Sequence, residues 1–149
     1  MTARHPAEIL FSSKHPLTSS LDMKFLGVEN GTLKVTVTAP NSFGDADGIN
    51  VHTGFLTLFM DTVMGSCAIG SMDEFQPLAT IKLTCNHIRR PRVGEKLMCL
   101  ATCDSIVDSV IYIRGKIVAD INGETDDIVS HAVGTFMAGT RSRPLEEKS

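Results

Sequence analysis

Asn50-Val51-His52-Thr53-Gly54 leads into Phe55-Leu56-Thr57-Leu58-Phe59-Met60-Asp61-Thr62-Val63-Met64-Gly65-Ser66-Cys67-Ala68-Ile69, a run apolar or small at nearly every position that carries a single charge, Asp61. A helix apolar all round is a buried helix. An ionised, unpaired carboxylate inside one costs roughly several kcal/mol. Keeping it there marks Asp61 as a candidate catalytic group. The plain alternative is a buried acid tied to backbone N–H groups.

The start of this helix is the second candidate. Helix N-termini carry free N–H groups and partial positive charge, which suits them to oxyanions. Here that end falls at His52-Thr53-Gly54, and Gly54 permits a close backbone approach. Asp61 lies eight residues beyond Thr53, about 12 Å along a helix axis. One helix cannot bring both groups to the same carbonyl. A working site therefore takes the N-terminus from one subunit and Asp61 from another, and a homodimer is the smallest functional unit expected. Thr57, Asp61 and Gly65 share one helical stripe. Gly65 costs about 1 kcal/mol against Ala in a helix interior, explained either by room for a substrate or by close packing on a strand.

Around the helix the pattern is β. A short amphipathic helix is expected over 6–12. Asp22 to Glu29 alternates and reaches Asn30-Gly31, a hairpin turn. Thr32 to Ala39 alternates with Leu33, Val35 and Val37 on one face. A loop rich in Gly, Asp and Asn covers 40–49. Three long β-type runs follow, Leu78 to Arg90, Glu95 to Val107 and Val110 to Ile121, the last reaching a turn at Asn122-Gly123. Asp127 to Ala138 forms a final strand, and the charged residues Arg141 to Ser149 form a tail. The expectation is α+β: one long central helix wrapped by five or six antiparallel strands, in a single domain over 1–149 with 1–20 as an N-terminal extension and 139–149 as a mobile tail. The apolar run Ile106 to Ile113 suggests a surface covered by another subunit.

Composition narrows the function. The 149 residues have a net charge of -3, 42% hydrophobic and 21% charged. This is globular composition without the basic balance of a nucleic-acid binder. The apolar run is too short and is broken by Asp61, so no membrane span is expected. Met1 to His15 lacks a signal-peptide core, and the four cysteines, Cys67, Cys85, Cys99 and Cys103, read as reduced core residues; a cytoplasmic protein is expected. No His, Asp, Glu or Cys cluster has metal-ligand spacing, and no cofactor is called for. His52 reads as fixing the loop before the helix or lining the site. His87 and His131 read as half-buried strand residues. Arg89, Arg90 and Arg92 form the densest basic cluster, a solvated turn or a match for phosphates.

Together these residues resemble a known family. His52-Thr53-Gly54, six further residues, then Asp61 and Gly65 resemble the hotdog-fold acyl-CoA thioesterases of the phenylacetic-acid-pathway type. Leu78-Ala79-Thr80-Ile81-Lys82-Leu83, Arg89-Arg90-Pro91 with Gly94, and Gly134-Thr135-Phe136 resemble later motifs of that family in the same order. The resemblance runs from Leu17 to Ala138. It implies paired subunits, possible pairing of dimers into tetramers, composite sites at the interface, and hydrolysis of an acyl-CoA thioester. It implies that Asp61 acts as general base or nucleophile. The N–H groups of Thr53 and Gly54 would polarise the carbonyl, and Thr80 would place the water. His52, Thr57, Gly65, Arg89 and Arg90 would line the substrate. Thr53 stands where the family carries Gly; it keeps the N–H but restricts φ. Ala46 stands where the family carries Asn, leaving Asn41 or Asn50 as substitutes, with Asn41 favoured. The competing readings are a hotdog enoyl-CoA hydratase, from the Asp47…Asn50…His52 loop, and a non-catalytic acyl-CoA binder.

Overall fold

In the computed structural model, residues 5–12, 15–119 and 127–140 are described. The Asn122-Gly123 turn and the Arg141 to Ser149 tail lie outside them. Helix α1 spans Pro6–Ser12 and helix α2 Pro16–Ser20; strands β1 and β2 span Lys24–Glu29 and Thr32–Thr38; the long helix α3 spans Thr53–Gly70; strands β3 to β6 span Leu78–His87, Lys96–Val107, Val110–Val118 and Ile128–Ala138. The strands form one six-stranded antiparallel sheet in the order β1-β2-β4-β5-β6-β3. Strands β1 and β3 are therefore its edges.

The sheet's inner face closes on α3 as the period-two pattern predicts. Leu33, Val35 and Val37 of β2, Leu97, Cys99 and Ala101 of β4, and Ile111, Ile113 and Ile117 of β5 are all buried. Close approach of helix and sheet is set at two glycines. A Cβ on Gly115 would stand 2.9 Å from Met60 Sδ, and one on Gly134 would stand 2.9 Å from Met64 Cε. The absent side chains let α3 settle into the sheet, and its Phe55, Phe59, Met60 and Met64 fill the core.

Helix α3 is not buried on every side. Phe55, Leu56, Phe59, Met60, Val63, Met64, Ser66, Cys67 and Ala68 are buried, whereas Thr57, Leu58, Asp61, Thr62, Gly65 and Ile69 are only half-buried. The small and polar residues of the run collect on one stripe, and that stripe faces open space beside β3. By length and composition alone α3 could cross a membrane; in the fold it is the core helix.

The described residues from His5 onward are built into the fold. Helix α1 packs on α3 and β1, with Ala7 buried and Phe11 stacked on Phe25 at 6.2 Å. Helix α2, which begins with Pro at its first turn, has no counterpart in the sequence reading; five residues are too few to show a period. Strand β3 ends at His87 rather than Arg90. There the N–H groups of Ile88 and Arg89 both donate to the Val129 carbonyl, and Pro91 follows without an N–H. The run Ile106 to Ile113 is a β4–β5 hairpin turning at Asp108. Ile111 and Ile113 point inward, while Ile106, Val107 and Tyr112 are exposed.

Candidate active site

Asp61 projects from the middle of α3 toward β3. There the Thr80 hydroxyl donates to Asp61 Oδ1 at 2.8 Å. Thr80 pairs with Phe136 of β6, and the register shifts between Thr80 and Lys82. The bulge at Ile81 interrupts the pairing just past Thr80, and the pairing resumes at Lys82. Asp61 Oδ2 has no hydrogen-bond partner among the described residues, so one carboxylate oxygen is fixed and the other is available. Asp61, Gly65 and Thr80 line a common cleft of about 360 Å³.

The helix N-terminus lies two turns away. His52 is its N-cap: Gly54 N–H donates to His52 Nδ1 at 2.9 Å, and the His52 carbonyl accepts from Phe55 N–H. Of the two N–H groups expected to face a substrate, that of Gly54 is thus occupied, and that of Thr53 has no partner among the described residues. The preceding loop is pinned to its neighbours. His52 N–H donates to the Phe43 carbonyl at 2.8 Å and Val51 N–H to the Pro91 carbonyl at 2.9 Å. His52 thereby fixes the loop and the cap, the architectural role open to it in the sequence.

Thr57 occupies the stripe one turn before Asp61, and it belongs to a relay that sequence reasoning missed. Thr57 Oγ1 lies 3.2 Å from His87 Nε2, and His87 Nδ1 lies 3.0 Å from Ser130 Oγ. Ser130 Oγ donates to the Asn86 carbonyl at 3.2 Å. Its proton committed, Ser130 accepts from His87 Nδ1–H, which leaves Nε2 to accept from the Thr57 hydroxyl. Desolvation holds the His87 imidazole below its ordinary value, in keeping with this neutral form. The β3–β6 register, which sets His87 opposite Ser130, is the signal that could have revealed the relay. His131 points to the other face, and both histidines are exposed rather than half-buried.

The arginines divide. Arg89 Nε and Nη2 donate to both carboxylate oxygens of Asp127 at 3.0 and 2.7 Å, and Nη2 and Nη1 donate to Glu95 at 2.6 and 3.3 Å. These carboxylates raise the Arg89 pKa, and Arg89 holds the Glu95 carboxyl below its ordinary range. Arg90 pairs with Asp45 and Asp47. Arg89 therefore braces the β3–β4 loop against the residue before β6, and Arg90 ties that loop to the one before α3. The Arg92 guanidinium has no partner among the described residues.

The two asparagines sit apart from Asp61. Asn50 Nδ2 donates to Asp47 Oδ2 at 3.0 Å, and the N–H groups of Asn50 and Ile49 donate to Asp47 Oδ1. These bonds lower the Asp47 pKa to about 2, so Asp47 and Asn50 are held as a closed turn. Asn41 opens a short 3-10 turn, Asn41–Phe43, and is exposed.

Burial pushes the Cys67 thiol up to about 11 and raises Cys99; it also raises Cys85, beside Thr57 and Asp61. Among the described residues no group of His, Cys, Asp and Glu could hold a metal ion.

A six-stranded antiparallel sheet wrapped round one long helix is the hotdog fold. The sequence profile of the thioesterase superfamily matches residues 49–125, more than half of the chain, and the chain belongs to that superfamily. No curated protein sequence matches significantly. Among solved structures, a thioesterase family protein from Silicibacter pomeroyi superposes with a TM-score of 0.77 at 17% identity, covering 90% of this chain and 96% of its own. The E. coli PaaI protein from the phenylacetic acid degradation operon superposes at 0.76 and 16% identity, covering 92% and 94%. A hypothetical thioesterase protein with coenzyme A from Streptococcus pneumoniae does so at 0.70 and 19%, covering 83% and 92%. These likenesses establish the fold.

Proposed function

We propose that the protein is an acyl-CoA thioesterase whose working unit is a homodimer. One observation carries the reading: Thr80 holds one oxygen of Asp61 and leaves the other open at the lip of a cleft. In this reading Asp61 Oδ2 takes a proton from a water that attacks the thioester carbon. The developing oxyanion accepts from Thr53 N–H at the start of the partner's α3, where the helix dipole favours negative charge. The tetrahedral intermediate then expels coenzyme A as its thiolate, which takes the proton from Asp61, leaving the free acid, the free thiol and an ionised Asp61. Attack by Asp61 itself, through a mixed anhydride that water cleaves, uses the same groups.

The about 12 Å between Thr53 and Asp61 along one helix supports sharing between subunits. Strand β3, which carries Thr80, is an open edge, and its neighbours Ile81 and Ile88 are 53% and 58% exposed. Coenzyme A supplies phosphates. With Arg89 and Arg90 holding acidic partners, Arg92 is the guanidinium at that turn left to meet them. The superfamily and the coenzyme A reported with the S. pneumoniae protein fit this substrate class.

The test is release of free thiol from a panel of acyl-CoA esters. Asp61→Asn keeps the shape and the Thr80 contact but removes the base. It should lower kcat at least about 100-fold while remaining folded and dimeric. Full activity in Asp61→Asn overturns the assignment.

A further inference from the structure

Gly65 sits one turn beyond Asp61 on the open stripe of α3. Close packing does not account for it: a Cβ there would meet Phe136 Cε1 at 3.6 Å and Leu78 Cδ2 at 3.8 Å, ordinary contact distances. Alanine would fit unaided and would favour the helix by about 1 kcal/mol. Compare Gly115 and Gly134, where a Cβ collides with methionine side chains at 2.9 Å. What glycine preserves at 65 is the open volume beside it.

Apolar side chains wall much of that volume, with His15 and Gln76 also on its lining. From Asp61 the cleft follows α3 past Gly65 to Ile69, two helical turns or about 12 Å. Its walls are Leu10 and Leu17 from the N-terminal helices, Phe75 and Leu78 from the segment entering β3, and Phe136 of β6. The hydroxyls within it are turned inward. Thr62 Oγ1 donates to the Leu58 carbonyl at 2.8 Å, Ser66 Oγ to the Thr62 carbonyl at 2.7 Å, and Thr18 Oγ1 to the His15 carbonyl at 3.2 Å. Beyond Asp61 no charged Asp, Glu, Lys or Arg side chain lines it.

We infer that this cleft is the acyl pocket of the enzyme and that it takes an unbranched, uncharged acyl chain of medium length, with Gly65 setting its width and α1 and α2 closing its side. The inference rests on the thioesterase reading for the identity of the ligand, and it assigns the N-terminal helices a part in specificity. In the single chain the cleft holds about 360 Å³, the space of about a dozen waters, and its run of about 12 Å along α3 matches a medium chain.

Non-hydrolysable S-alkyl thioethers of coenzyme A separate this claim from catalysis. Titrated calorimetrically into the full chain, S-octyl-CoA should bind at least about tenfold tighter than S-ethyl-CoA, since each buried methylene is worth about fourfold. S-hexadecyl-CoA should gain nothing further. Gly65→Leu, which projects a side chain into the cleft, should remove most of the octyl advantage. Leu17→Ser, on the opposite wall, should reduce it several-fold and serves should Gly65→Leu fail to fold. Equal affinity for octyl and ethyl probes, or an octyl advantage untouched in the folded variants, overturns the pocket. Octyl-selective binding without thiol release from any ester would leave the pocket standing and remove the hydrolase reading.

Discussion

At the scale of single residues the site is organised by hydroxyls. Thr80 orients Asp61, and His87 orients Thr57. The second arrangement gives a testable dependence on pH. His87 can accept from Thr57 only while Nε2 is unprotonated, and desolvation places its folded pKa below the ordinary value of 6.5. A histidine with a depressed folded pKa contributes stability that is fully present above the unfolded value and is lost as pH falls from there toward the folded one. His87→Gln removes that titration. The stability advantage of wild type over His87→Gln, measured by urea denaturation, should be largest near about pH 8 and should shrink toward about pH 5. A gap that stays constant across this range would show that the relay does not control the titration. Asp61 was legible from its surroundings because a lone acid in an apolar run is anomalous in any fold. The relay was not, because His87 and Ser130 lie 43 positions apart and only strand register joins them.

At the scale of elements, an unbroken apolar run named the long helix and alternation named the strands. It could not say which side of the helix the sheet leaves open. The deciding residues, Thr57, Asp61, Thr62 and Gly65, are a minority within an apolar segment, and the sheet sets their exposure. The same limit hid the work of Arg89. A basic cluster beside a turn suits phosphates, yet its partner Asp127 lies across the sheet at the start of β6. One guanidinium joins Glu95, before β4, to Asp127, and Glu95 also accepts from Arg92 N–H. Each pair is partly exposed, so the network contributes modestly, about 1 kcal/mol. Glu95 has a depressed carboxyl pKa. Its contribution is therefore present above the ordinary value of 4.5 and lost as pH falls below it. Arg89→Met should lower the denaturation midpoint at neutral pH, and the difference from wild type should fade on acidification below about pH 4. An unchanged midpoint with a raised KM for acyl-CoA would instead place Arg89 on the substrate's phosphates.

At the scale of the whole molecule, the separation between Thr53 and Asp61 decides how many chains make a site. Thr53 offers a way to test this without disturbing the helix. It occupies the first helical position, where proline is well tolerated because the N–H it removes has no intrahelical partner. The residue before it, His52, already has φ -61° and ψ 136°, the extended geometry that a following proline prefers. Thr53→Pro should therefore fold, keep its Asp61, and lose most thiol release by losing the oxyanion donor, a loss of about 100-fold in kcat. Asp61→Asn has the complementary defect. If the site is shared between subunits, a mixed dimer carries one site with both groups intact and one with neither. Unfolding and refolding equal amounts of the two variants together gives mixed dimers as about half the population, so activity should return to about a quarter of wild type. Sites built within single chains would show no recovery, because every chain in the mixture lacks one of the two groups. The recovered fraction thus reads directly whether the open edge at β3 and the exposed Ile81 and Ile88 beside it are where a second copy brings its helix to this carboxylate.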